Sequence, residues 1–202
     1  MRSIVMFNRV SAEGHFASHD GAMDWTVPEP AIDKAALQGM PHTDTVLFGR
    51  RTYEMFASFW PHVLDQGGAA PDPHDDKRRT PELGAMARWL NEAEKLVFSR
   101  TLRDPSWHRS RVLGAFDPRE IAALKRGPGK SIIVFGSGSI VSLLAEHELI
   151  DEYRFVVSPV FLGGGKPLLR GLTKRLSLRL LDATPYESGN VMLRYAPAAG
   201  KA

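Results

Sequence analysis

Three short segments of the sequence combine glycine, hydroxyl and arginine residues in a way that suits an anionic ligand. Residues 49–52 read Gly-Arg-Arg-Thr, residues 99–101 read Ser-Arg-Thr, and residues 136–139 read Gly-Ser-Gly-Ser. Arginine forks match phosphate oxygens, hydroxyl groups add donors, and glycine lets a ligand approach the backbone. One such segment is equally well explained as a tight turn. The three together predict a site for a pyrophosphate and one further phosphate.

Each segment follows a short apolar run that predicts a buried strand. These runs cover residues 45–48, 95–98 and 132–135, and a fourth strand is predicted at residues 4–7. Ligands of open α/β sheets bind beyond the carboxyl ends of the strands, so we expect the three segments to meet there. A pyrophosphate with one more phosphate is the pattern of NADP. The site is not a Rossmann fingerprint, because Val141 stands where a third glycine is needed.

Helical periodicity and turn residues predict the remaining elements. Apolar residues at positions 140, 143 and 144, together with His147, lie on one face of a predicted helix. Ser137 or Ser139 is the predicted N-cap of this helix. Further helices are predicted over residues 29–38, 53–57, 81–93 and 118–125, and further strands over 107–113 and 153–157. The runs at 176–181 and 191–195 are predicted to pair as an antiparallel hairpin. Residues 61–81 are predicted to be a mobile surface loop within one domain that covers residues 1–202.

Composition limits the classes of function. The chain has 202 residues, 43% of them hydrophobic, and a net charge of +3 from scattered basic residues, which predicts no nucleic-acid partner. It has no cysteine, which excludes disulfides and thiolate metal sites and fits a cytoplasmic protein. No apolar run approaches about 20 residues, so we expect no membrane partner. Scattered His and Asp residues, as at positions 15, 19, 72 and 74–76, lack the rigid spacing of a metal site, and none is predicted.

In its motifs the sequence resembles the dihydrofolate reductase fold. More closely, it is similar to the reductase domain of the riboflavin-biosynthesis deaminase–reductase (RibD) and its stand-alone bacterial relatives. The resemblance is carried by residues 11–14, 46–52, 98–102, 134–139, 149–152 and 159–167, which follow one another in the family's order. It implies a mixed α/β sheet that is mostly parallel, with an antiparallel C-terminal hairpin and helices on both faces. It also implies a homodimer.

The resemblance further implies an NADPH-dependent reductase that transfers hydride to a small heterocyclic or carbonyl-type substrate, like 5-amino-6-(5-phosphoribosylamino)uracil reductase. The implied NADP(H)-binding residues are Ser11, Gly14, Phe16, Gly49, Arg50, Arg51, Thr52, Ser99, Arg100, Gly136, Ser137, Gly138, Ser139 and Ile140. Glu13 and Asp24 are the candidate catalytic acids, with Glu29 as an alternative to Asp24 on the way into the first helix. We expect Gly138→Val to block the pyrophosphate while leaving the fold intact.

The chain departs from the family's pattern at two places. The family usually reads Ser-Leu-Asp-Gly where this chain has Ser-Ala-Glu-Gly at residues 11–14, and no lysine stands near Phe7 and Asn8, where the riboflavin enzyme has one. The substrate is therefore left open. A second hypothesis is a non-catalytic protein that binds a nucleotide or another small ligand in the same cleft.

Overall fold

The computed structural model describes residues 1–63, 70–72 and 75–198, with the backbone alone at 70–72 and 75–79. The strands in chain order are β1 (Ile4–Ser11), β2 (His15–Ala17), β3 (Thr43–Gly49), β4 (Ala70–Asp72), β5 (Asp75–Thr80), β6 (Glu94–Phe98), β7 (Ser110–Leu113), β8 (Ser131–Phe135), β9 (Glu152–Ser158), β10 (Lys166–Pro167), β11 (Leu178–Pro185) and β12 (Val191–Pro197). The helices are α1 (Pro30–Gly39), α2 (Arg50–Ala57), α3 (Pro81–Glu92), α4 (Pro118–Arg126) and α5 (Gly138–Glu146), with a short 3₁₀ helix at Met40–His42.

Eight of these strands form one sheet in the order β11-β12-β9-β1-β8-β3-β6-β7. From β9 to β7 every neighbouring pair is parallel, while β12 runs antiparallel to both β9 and β11. The mostly parallel sheet and its antiparallel C-terminal hairpin are thus confirmed. Because β8, β3 and β6 are consecutive parallel strands, their carboxyl ends lie side by side at one edge.

Helices cover both faces of the sheet, because consecutive residues of a strand face opposite sides. Leu47 belongs to one core with Ile132 and Val134, and this core is closed by α4 and α5. Its neighbours Val46 and Phe48 belong to the opposite core, which α2 and α3 close. On that second face α1 adds a small cluster over the β1–β9 end of the sheet. Central strands are therefore apolar on both faces, as parallel sheets require.

Three of the helices begin with an N-cap side chain followed by proline. Glu29, Thr80 and Asp117 accept a backbone N–H of the first turn of α1, α3 and α4, respectively, and a proline opens each helix. Such a side-chain acceptor followed by proline satisfies free N–H groups and presets the helical φ angle. These side chains fix where the helices begin relative to the sheet edge.

The structure corrects several sequence predictions. The loop predicted over 61–81 is wrong for part of its length, since 70–72 and 75–80 pair as antiparallel strands, while 64–69 and 73–74 lie outside the described residues. The helix predicted from residue 53 begins at Arg50, and the helix face predicted to include His147 ends at Glu146. Pairing with β12 carries β11 to Pro185, beyond its apolar run. The short strand predicted within residues 107–113 is confirmed at Ser110–Leu113.

In the described part of the chain, no helix combines the length and the apolarity needed to cross a membrane. Within the same residues, no three His, Cys, Asp or Glu side chains group together in a way that could hold a metal ion.

Candidate functional site

The ends of β8, β3 and β6 open into a single cleft of about 2070 Å³. Residues 49–52, 99–101 and 136–140 all line it, so the structure brings the three predicted anion-binding segments together. Two helices, α2 and α5, begin at this edge. Helix N-termini present backbone N–H groups and a partial positive charge to whatever lies in front of them.

Ser137 joins two of the three segments. Its hydroxyl accepts a hydrogen bond from the Gly49 N–H at 2.8 Å and donates one to Thr52 Oγ1 at 2.8 Å. Ser137 lies at the N-cap position of α5, but with φ 57° and ψ 61° its hydroxyl does not cap the helix. The prediction of Ser137 at the N-cap position is thus confirmed, but its hydroxyl makes no capping hydrogen bond and instead joins the end of β8 to the start of α2.

The arginines of the cleft differ in how they are held. Arg50 Nη1 donates to Thr101 Oγ1 at 3.0 Å, and its Nε lies 3.7 Å from Glu54 Oε1. The guanidinium groups of Arg51 and Arg100 make no hydrogen bond or ion pair with any described residue. Exposed cations that line a cleft without a protein partner are suited to an anionic ligand.

The hydroxyl of Ser99 shapes the turn that carries Arg100. Its Oγ accepts the backbone N–H groups of Thr101 at 3.1 Å and Leu102 at 2.9 Å. This local turn directly follows β6. Ser99 therefore positions its neighbour as well as lining the cleft itself.

The segment after β1 contributes Phe16 to the cleft, whereas Ser11, Glu13 and Gly14 do not line it. Ser11 Oγ accepts the His15 N–H at 3.2 Å, and Gly14 turns the chain with φ 84°. The two residues thus shape the loop that delivers Phe16.

Glu13 is engaged elsewhere. Its carboxylate accepts the Leu162 N–H at 2.8 Å and lies 3.0 Å from His15 Nδ1. The hydrogen bond with His15 lowers the pKa of Glu13 below its usual value, with the Leu162 and Gly164 backbone bonds adding to the effect. The structure therefore gives Glu13 an ionised, loop-binding environment outside the cleft, which does not suit a proton donor.

Gly138 lies directly against Phe16. A β-carbon built on Gly138 would lie 2.9 Å from Phe16 Cε1 and 3.1 Å from the Leu168 carbonyl oxygen. Both distances are too short for a normal contact, so the first turn of α5 requires glycine for protein packing. This contradicts the expectation that Gly138→Val leaves the fold intact.

The candidate acids near α1 are placed differently. Asp24 lines the cleft, whereas Glu29 does not and instead caps α1 through a 3.1 Å bond from the Ala31 N–H. Asp33, which the sequence did not single out, is buried and lines the cleft. One of its carboxylate oxygens lies 3.8 Å from Arg9 Nη2.

Several other cleft residues were missed because they follow no motif. Phe7, Asn8 and Arg9 come from β1, and Met55 and Phe59 come from α2 and the turn after it. Lys166 and Arg170 follow three consecutive glycines at residues 163–165. The sequence did contain two signals of these cleft residues. The polar pair Asn8-Arg9 follows the apolar run of a predicted strand, and Asp33 interrupts the apolar pattern of α1. Polar residues at such positions indicate a site at the strand end.

Comparisons with known proteins agree with this architecture. The sequence model of the RibD C-terminal domain matches residues 2–192. The chain is 26% identical over 194 residues to the uncharacterized protein YyaP of Bacillus subtilis (strain 168), covering 96% of this chain and 94% of that protein.

Solved structures share the fold. The crystal structure of a putative riboflavin biosynthesis protein from Shewanella sp. PV-4 has a TM-score of 0.71 at 21% identity and covers 98% of this chain and 99% of that one. The dihydrofolate reductase from Enterococcus faecalis, solved with NADP(H), has a TM-score of 0.61 at 12% identity and covers 98% and 97%. The fold is thus dihydrofolate reductase-like, and the family match over nearly the whole chain shows that the protein belongs to the RibD C-terminal domain family.

Proposed function

We propose that this protein is an NADPH-dependent reductase that transfers hydride to a small heterocyclic or carbonyl-type substrate. One observation carries the proposal: three adjacent strand ends bring Arg51 and Arg100, which have no partner among the described residues, into one cleft with the starts of two helices. Families with this fold are reductases in general, and membership of the RibD C-terminal domain family supports the reaction class.

The residues present fit the phosphates of NADP(H). The uncapped start of α5 offers backbone N–H groups to the pyrophosphate, and Thr52, which accepts the Ser137 hydroxyl, stands at the start of α2. Arg100 and Arg51 have free guanidinium groups for the 2′-phosphate, and Arg50 is held close to them by Thr101. The bound cofactor supplies the hydride at its nicotinamide ring.

The chain's own residues position the reactants and limit access of water. Phe16, which lies against Gly138, supplies an apolar surface to the cleft. Asp24 is the acid of the predicted pair that lines the cleft, and we propose it as the group that exchanges a proton with the substrate, directly or through a water molecule. For Glu13 we propose a structural role, since its carboxylate holds Leu162 and His15.

We also propose that the protein forms a homodimer and is located in the cytoplasm. The homodimer is supported by the exposed leucines of the edge strand β11. The cytoplasmic location is a prediction from composition.

The test is a pair of binding titrations of NADPH and NADH on the purified protein at a fixed salt concentration. We expect NADPH to bind at least tenfold more tightly, because NADH lacks the 2′-phosphate that the free arginines would hold. Equal or weak binding of both would reject the cofactor assignment and favour the alternative of a non-catalytic ligand-binding protein. Oxidation of bound NADPH by an added acceptor separates an enzyme from a binding protein that retains the cofactor.

A further inference from the structure

The cleft has a second chemical region beyond the anion-binding segments. There the side chains that line it are apolar and mostly aromatic, and we name this region the apolar chamber. Its members are Phe7, Ile32, Met55, Phe56, Phe59 and Phe135. The chamber lies on the face of the sheet covered by α1 and α2, whereas the three anion-binding segments lie at the strand ends.

Ring contacts define the wall of the chamber. Phe7 and Phe135 are directly opposite on the neighbouring strands β1 and β8, with ring centroids 6.0 Å apart. Phe56 of α2 stacks on Phe135 at 5.7 Å with an angle of 26° between the rings. Ile32 of α1 packs in the same cluster as Phe7. A partly open surface of rings and aliphatic groups attracts a flat apolar or aromatic ligand.

The charge next to this wall does not favour an anion. Among the described residues of β1, α1 and the second turn of α2, Arg9 is the only cation that lines the cleft. Arg9 lies 3.8 Å from the Asp33 carboxylate and donates to the Val27 carbonyl oxygen at 3.3 Å. Both side chains of the pair are largely buried, at 16% and 10% exposure. Arg9 and Asp33 thus compensate each other's charge, and the pair offers a phosphate beside it no net positive charge.

Helix α2 marks the boundary between the two regions. Arg51 and Met55 are four residues apart and both line the cleft, so they share one face of the helix about 6 Å apart along its axis. The first turn carries the arginines and the second turn carries Met55 and Phe56. If a ligand of the chamber carried a phosphate, Arg51 would be the nearest cation of α2 that could bind it.

We propose that the apolar chamber takes an uncharged planar heterocycle without a phosphate group, and that this ring is the hydride acceptor. The proposal rests on the proposed function, because the reductant is NADPH. A hydride with its electron pair adds to one end of a ring C=N or conjugated C=C bond and breaks the π bond. A proton from water then binds the nitrogen or the other end of the conjugated system, and NADP⁺ is released.

A matched pair of flavins tests the phosphate preference. Riboflavin and flavin mononucleotide share one planar ring with a C=N bond and differ by one phosphate. Their fluorescence is titrated against protein saturated with NADP⁺, so that the arginines of the anion-binding segments are occupied. We expect riboflavin to bind at least tenfold more tightly than flavin mononucleotide. Equal or tighter binding of the phosphorylated form would overturn the proposal.

A substitution at the boundary provides an independent readout. Met55 is 49% exposed, so a lysine there can be accommodated without disturbing the core. In Met55→Lys we expect flavin mononucleotide to gain at least fivefold in affinity, while Met55→Leu keeps the preference of the natural protein. The denaturation midpoint of each variant checks that it folds. Unchanged flavin affinities in a folded Met55→Lys variant would place the ring outside the chamber and overturn the proposal.

The outcomes separate this proposal from the reductase proposal. Binding of NADP⁺ is measured first. If NADP⁺ does not bind, the cofactor assignment is rejected, and the affinities of the two flavins can still be compared on the protein without NADP⁺. Normal NADP⁺ binding with preference for flavin mononucleotide rejects only the unphosphorylated ring. Lumazine, a smaller uncharged ring, is titrated beside the flavins, and failure of both lumazine and riboflavin to bind also overturns the proposal.

Discussion

Single side chains carry the cofactor preference that we propose. Arg51 and Arg100 line the cleft and have no partner among the described residues, whereas Arg50 is held by Thr101. A cation kept free at the protein surface gains little for folding, so a bound anion is the simplest physical reason for the arrangement. Arg100 also stands on a turn that Ser99 holds in shape.

We expect Arg100→Ala to weaken NADPH binding about 10- to 100-fold, because one charge-assisted hydrogen bond contributes about 1.5–3 kcal/mol. NADH, which lacks the 2′-phosphate, should lose much less. Titration of both cofactors against the variant measures the difference. Arg103→Ala is the matched control, since Arg103 is an exposed arginine just after the same turn and does not line the cleft. Equal losses for NADPH and NADH would show that Arg100 does not read the 2′-phosphate.

A second prediction concerns Lys95, whose side chain is fully buried. Its Nζ donates to the carbonyl oxygens of Asn91 at 2.8 Å and His108 at 2.9 Å and lies 4.6 Å from the Trp107 ring centroid. Burial, with a smaller effect of Arg109, lowers the pKa of Lys95 from 10.5 to about 8. Between pH 8 and 10.5 the unfolded chain therefore binds one proton more than the folded protein, and the free energy of unfolding rises with pH.

We expect this rise to amount to about 2 kcal/mol between pH 8 and 10. Urea unfolding at several pH values measures it, and the series stops at pH 10 because burial raises the pKa of Tyr153 to about 12, which acts in the opposite direction above that pH. Lys95→Met should be less stable overall, since two carbonyl groups lose their donor, but its stability should not rise over this range. The same rise in both proteins would assign the effect to other groups.

At the scale of elements, one hydroxyl group determines how β8 meets β3 and α2. Ser137 accepts the buried Gly49 N–H and donates to Thr52. Removing the Ser137 hydroxyl leaves the buried Gly49 N–H without an acceptor, which lowers the free energy of unfolding. The same hydroxyl also sets the position of the two helix starts that we propose for the pyrophosphate.

We expect Ser137→Ala to lower the free energy of unfolding by about 1–3 kcal/mol and to weaken NADPH binding several-fold. Chemical denaturation and a cofactor titration measure the two effects. Ser139→Ala, two residues away and exposed, should leave the stability within about 0.5 kcal/mol of the natural protein. If Ser137→Ala is as stable as Ser139→Ala, the hydrogen bonds of Ser137 to Gly49 and Thr52 contribute nothing to the free energy of unfolding.

Much of this arrangement was predictable from local sequence. Apolar runs of three or four residues identified β1, β3, β6 and β8, because strands buried on both faces carry no polar alternation. The glycine and arginine turns after three of these strands then indicated the anion-binding segments. What escaped prediction depends on contacts between distant residues. The hydroxyl of Ser137 bonds to Gly49, 88 positions away, and no local pattern distinguishes that role from capping.

The apolar chamber was not predicted from the sequence, because it too depends on contacts between distant residues. Its walls come from β1, α1, α2 and β8, and each contributes one or two residues that look like ordinary core positions. A motif also singled out Glu13 as a candidate catalytic acid, and in the fold its carboxylate accepts the Leu162 N–H. Motifs thus predicted where the backbone turns more reliably than what each side chain contacts.

The whole molecule presents an apolar edge. In β11, Leu178, Leu180 and Leu181 are 39%, 52% and 41% exposed, and this strand lies at one end of the central sheet. An exposed edge strand with leucines is a liability for a monomer, because its free backbone groups and apolar side chains attract another chain. This surface supports the homodimer that we propose.

We expect Leu180→Asp to shift the protein from dimer to monomer, because a charge at the edge opposes burial of the strand. Light scattering coupled to size-exclusion chromatography measures the mass. Arg179→Ala, on the same strand, is the control and should leave the mass unchanged. A natural protein that elutes as a monomer, or a Leu180→Asp variant that stays dimeric, would contradict this assignment.

The order of strands in the sheet also fixes when the chain can become a stable molecule during its synthesis. β1 is made first, yet both of its neighbours, β8 and β9, are made late. The bond from Arg2, just before β1, to Lys130 spans 128 positions, and the bond from Ile4, its first residue, to Asp151 spans 147. At about 5–20 residues per second, the ribosome leaves this apolar strand without a partner for roughly 7–30 s. A nascent chain that stops short of β9 therefore exposes an apolar strand, and we expect it to depend on chaperones until the sheet can close.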